Sequence, residues 1–273
     1  MTERAETVLR LTAFAAGLAV LAAVAALVGR ASGIDVDDTE GTMAHAAETG
    51  GEANGLSDAA AAFRLRVEAP QLRAGEAQRV LLTLERDGEP FTDLDEEHGE
   101  PPLHLVLVRR DLAGYVHLHP RREGDRYAVD VALPTPGVWR AYADFESDGE
   151  KVVLGRDLFV PGDLTRQPPR APRDVTSVDG YDIRLTRGSA LTFEVARNGR
   201  SVSAFEPYLG ADGHLVAIRE DDLAYLHVHP RESARAGTVA FEAELDQPGR
   251  YALFLQFKHG GRVHTATFTA VVS

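Results

Sequence analysis

Two stretches of the chain, 110 residues apart, carry nearly the same text. Residues 104–120 read HLVLVRRDLAGYVHLHP and residues 214–230 read HLVAIREDDLAYLHVHP. In each, a histidine stands 13 residues before a His-x-His-Pro. That offset is the size of one small β-sandwich, so the chain must fold as two copies of one module. Turn signals repeat with it: Asp87-Gly88 and Asn198-Gly199 mark hairpins, and Pro136-Gly137 and Pro248-Gly249 open matching strands.

Alternating apolar and polar residues predict strands at 63–69, 79–86, 104–109, 114–119, 126–133, 138–146 and 151–160 in the first copy. The second copy gives 181–186, 191–197, 214–219, 224–229, 238–245, 251–259 and 262–272. Short strands with frequent turns predict a mainly β protein, two tandem immunoglobulin-like β-sandwich domains after an N-terminal transmembrane helix. The expected divisions are an anchor or signal segment at 1–30, an acidic tether at 31–62, sandwiches at 63–161 and 174–273, and a Pro-rich linker at 162–173. Trp139 is expected in the core.

The N-terminal expectation rests on residues 11–28, apolar apart from Thr12 and Gly17. Eighteen helical residues reach roughly 27 Å, close to a bilayer core. Arg4 and Arg10 precede the run and acids follow it, so the N-terminus is placed in the cytoplasm and the sandwiches outside. A cleaved signal peptide is the alternative, which would make the protein secreted.

Composition narrows the chemistry. There is no cysteine, which excludes disulfides, thiolate zinc, iron–sulfur clusters and Cys-ligated copper. A net charge of −13 argues against a nucleic-acid partner. No nucleophile elbow, phosphate loop or HExxH motif occurs. The expectation is a binding protein rather than an enzyme, with no organic cofactor.

The histidines carry what chemistry remains. Along a strand, alternate side chains share a face. Tyr115, His117 and His119 therefore face one way, as do Tyr225, His227 and His229, with the aliphatic residues between them turned to the core. His104 and His214 open neighbouring strands. A hairpin through 220–223 would bring His214 beside His227 or His229, and His264 adds a fourth imidazole to the second copy, where the first has Val152. Two metal sites are thus expected: His214, His227, His229 and His264 in the second sandwich, and a weaker one at His104, His117 and His119. All-imidazole ligation suits Cu(II) or Zn(II). The alternative is that these histidines only cap backbone groups at strand ends.

The string EPYLGADGHLVAIREDDLAYLHVHP, residues 206–230, resembles a motif of the FixH-like and YtkA-like families of exported, immunoglobulin-like bacterial modules. The resemblance implies a sandwich fold, a location outside the cytoplasm and an association with metal handling. It is weaker in the first copy, where EEHGEPPLH replaces EPYLGADGH. Two functions follow as expectations: a membrane-anchored metal-binding protein, or a non-metal module that holds an envelope protein partner.

Overall fold

The computed structural model describes residues 54–273 except 70, 96–100, 227, 232, 234, 244 and 246, all within one compact unit, Thr49–Ser273. The expected anchor and most of the tether, with His45, lie outside the described residues, as do His98 and His227. Among those described, no helix is long and apolar enough to cross a membrane.

Every element among the described residues is a strand. The first repeat holds β1 (Ala59–Ala60), β2 (Phe63–Glu68), β3 (Ala77–Arg86), β4 (Glu89–Pro90), β5 (Leu103–Arg109), β6 (Tyr115–Leu118), β7 (Arg121–Glu123), β8 (Arg126–Ala132), β9 (Gly137–Ser147) and β10 (Glu150–Val160). The second holds β11 (Val175–Val178), β12 (Tyr181–Arg187), β13 (Leu191–Arg197), β14 (Arg200–Ser201), β15 (His214–Arg219), β16 (Tyr225–Leu226), β17 (Val228–Arg231), β18 (Thr238–Ala243), β19 (Gly249–His259) and β20 (Arg262–Val272).

Each repeat forms a pair of antiparallel sheets. The first has one sheet ordered β1-β2-β3-β8-β7 and another ordered β10-β9-β5-β6. The second matches it, with β11-β12-β13-β18-β17 and β16-β15-β19-β20. Alternation builds the cores. Leu103, Leu105 and Leu107 of β5 join Trp139 and Leu154 inside the first sheet pair. Leu215 and Ala217 of β15 join Phe193 and Phe257 inside the second.

The opposite faces of β5 and β15 are buried too. A third apolar cluster joins Val106, Val108, Leu112 and Tyr142 of the first repeat to Val216, Ile218, Leu223, Tyr225 and Phe254 of the second. The two four-stranded sheets therefore pack on each other, and every residue of β5 is buried. Contacts across this interface are reciprocal. Tyr115 stacks on Phe254, ring centroids 4.4 Å apart, and its hydroxyl donates to Gln256. Its counterpart Tyr225 packs on Tyr142 at 5.3 Å and donates to Asp144. Tyr142 and Phe254 hold equivalent places, opposite Val106 and Val216, as do Asp144 and Gln256, opposite His104 and His214. A repeating exchange of i to j and j to i is the signature of a two-fold axis.

One expected strand, 224–229, is divided between two sheets. In the first repeat β6 stays paired with β5 out to Leu105↔Leu118, and β7 then crosses to β8. In the second, β16 pairs with β15 at Ile218↔Tyr225 and Ala217↔Leu226, and Val228 is already paired with Ala243 in the other sheet. Val228 has thus changed sheet where its counterpart Leu118 has not.

Candidate metal centre

Face parity puts the imidazoles into the interface. His104 precedes Leu105 on β5, on the side of Val106 and Val108, and His214 stands likewise beside Val216 on β15. His117 lies between Val116 and Leu118, both packed on the first core, so its ring points out toward the second repeat. Gly213 lets β15 start close to β19, since a Cβ there would lie 2.8 Å from the Gln256 carbonyl oxygen.

His104, His117 and His214 converge, with one ring nitrogen from each within 4.8 Å of the others. This triad can hold a metal ion. Nitrogens around one tetrahedral zinc sit about 3.3 Å apart, so the rings draw in slightly around an ion. His119 borders the set, its ring centroid 5.0 Å from His104 and 4.8 Å from His117.

Hydrogen bonds orient the rings. His117 donates Nδ1–H to Oε1 of Gln256 at 2.7 Å, which leaves a lone pair on its Nε2. That Nε2 faces Nδ1 of His104 at 3.2 Å. Nδ1 of His214 and Nε2 of His119 are sealed from solvent with no hydrogen-bond partner among the described residues. A buried, unpaired polar atom costs about 1–3 kcal/mol, so a bond made at either nitrogen would be stabilising.

Electrostatics keep the rings neutral. Burial holds His104 down at about 4, reinforced by His119 and opposed by a hydrogen bond to the Pro101 backbone. Burial, then His104, His119 and Lys151, hold His214 at about 3. His117 is depressed by burial and by His214 and His104, and His119 by burial. Neutral imidazole is the form that binds metal, so no proton has to be displaced near neutral pH.

Where one site per repeat is expected, the triad among the described residues draws on both repeats. His214 of the second repeat joins His104 and His117 of the first. His229 is exposed on β17, opposite Glu242. His264 is not available to a metal: Nδ1 contacts the Asp179 carboxylate at 2.7 Å and Nε2 the His259 carbonyl at 3.1 Å. It is buried against Tyr181 and Phe257. The place expected for His227 lies outside the described residues.

The sequence pattern alone misses Gln256, which fixes His117, and Asp144, which burial raises to about 6 beneath the Tyr225 hydroxyl. Both sit opposite a triad histidine on the neighbouring strand, so pairing HLVAIR with RYALFLQF would have located Gln256. A cavity of about 240 Å³ opens beside the triad, with His104 and His214 on its wall.

Fold and cluster together define a duplicated β-sandwich protein with an imidazole site where its two repeats meet. The chain belongs to the DUF8832 family, described as a domain of unknown function, which matches it twice, over residues 58–160 and 175–273. No curated protein matches it.

Proposed function

We propose that this protein binds one divalent metal ion, Cu(II) or Zn(II), through His104, His117 and His214. The observation that carries this reading is the convergence of three neutral imidazoles from both repeats, with Nδ1 of His214 lacking a hydrogen-bond partner among the described residues. An all-imidazole ligand set favours a borderline divalent ion over Cu(I). The protein serves metal capture or delivery rather than catalysis. Its sheet pairs are read as immunoglobulin-like, and the apolar run at 11–28 as a membrane anchor that displays them outside the cytoplasm. The kinship with FixH-like and YtkA-like modules rests on the string at 206–230.

Calorimetric titration with Cu(II) and Zn(II) tests the reading. Stoichiometric binding to the wild-type protein and its loss in His104→Ala and His214→Ala are expected, with His264→Ala binding as before. No heat of binding in the wild-type protein would overturn it. The alternative, a partner-holding envelope module, predicts that metal leaves the melting temperature unchanged.

A further inference from the structure

The cavity beside the triad has two kinds of wall. His104 and His214 form part of the inner one, and His229 and Pro230 line it from β17. Asp144, Glu146 and Lys151 line it as well. Lys151 is ion-paired with Glu146 at 3.2 Å, so the pair adds little net charge and Asp144 is left as the further acid. His229 is exposed to solvent while His104 is buried, so the cavity runs from an accessible imidazole to an enclosed one.

Gln256 Oε1 accepts from both His117 and Tyr115 on the interface side. The depression at His119 is lined by Arg79 and Arg121 as well as Glu123 and Asp130, and it touches none of the three ligands.

We infer that the metal ion reaches the triad through this cavity, and that His229 is its first protein ligand on the way, passing it inward to His214 and His104. The inference rests on the metal-binding reading above. Each step exchanges one imidazole–metal bond for another, and the charge on the ion does not change. His229 is thus a ligand of transit and not of residence.

Stopped-flow mixing of the purified full-length chain with Cu(II), followed by protein fluorescence, tests this. For His229→Ala the association rate should fall about tenfold while equilibrium affinity stays within about twofold, so dissociation slows in parallel. His214→Ala should instead lose affinity. His229→Gln, which keeps size without an imidazole, should behave as the alanine variant does, and an unchanged metal-free melting curve shows that both are folded. Association as fast as wild type in both variants overturns the transit role and leaves metal binding intact. A loss of affinity in His229→Ala equal to that in His214→Ala overturns it as well, by making His229 a resident ligand. No binding to the wild-type chain removes the metal-binding reading itself.

Discussion

Gln256 governs the site without being a candidate ligand. By accepting the Nδ1 proton of His117 it decides which nitrogen of that ring has a lone pair, and it accepts from Tyr115 as well. Removing such an orienting partner typically lowers metal affinity about 10–100-fold. Gln256→Leu should show that loss in a calorimetric titration while the protein still folds. The imidazoles also set how the metal-free protein responds to acid. His104 and His214 are held at about 4 and about 3, below the ordinary 6.5. A group depressed on folding contributes stability that is complete above its unfolded pKa and lost as pH falls through the folded value. Asp144, raised to about 6, works in the opposite sense and withdraws stability as pH rises from its ordinary 3.8. Several imidazoles outweigh one carboxyl, so urea midpoints should fall steadily from about pH 6.5 to about pH 3. At this scale the candidate ligands were legible as a repeated pattern. Their grouping was not, since nothing in a one-dimensional pattern says that His214 meets His104.

Among the elements, β5 and β15 are the most enclosed. LHLVLVR and HLVAIR are almost unbroken apolar runs, and a strand covered on one face only would alternate. The second buried face was therefore readable in these strings, although the turns alone suggested two independent sandwiches. Amide hydrogen exchange should be slowest in β5 and β15 and fast in β7, whose three residues are exposed. What could not be read was the place where the chain changes sheet. YVHLHP and YLHVHP differ by a swap of Leu and Val, yet Leu118 of the first stays in its sheet while Val228 of the second is paired in the other. The choice belongs to contacts made by other strands, so residue pattern carries no trace of it.

At the scale of the molecule, three cores share two boundaries, and the middle one belongs to both repeats. Heat should therefore unfold the repeats in one transition. Phe254→Ala, which empties the middle core, should cost about 3–5 kcal/mol and lower the melting temperature of both together. Because the triad draws ligands from each repeat, an ion acts across the same boundary. At a hundred times its dissociation constant it should add about 2.7 kcal/mol of stability, read as a rise in melting temperature that His214→Ala abolishes.

The reciprocal contacts between Tyr115 and Gln256 and between Tyr225 and Asp144 have a consequence for how such a site can arise. A true homodimer must place the same residue on both sides of its axis, and so repeats every group near it. Joining the two halves in one chain removes that constraint. Here an amide stands on one side and an acid on the other, in the same structural position. Two copies that began as equals can divide the labour, one amide aiming a ligand while its acidic counterpart lines the way in.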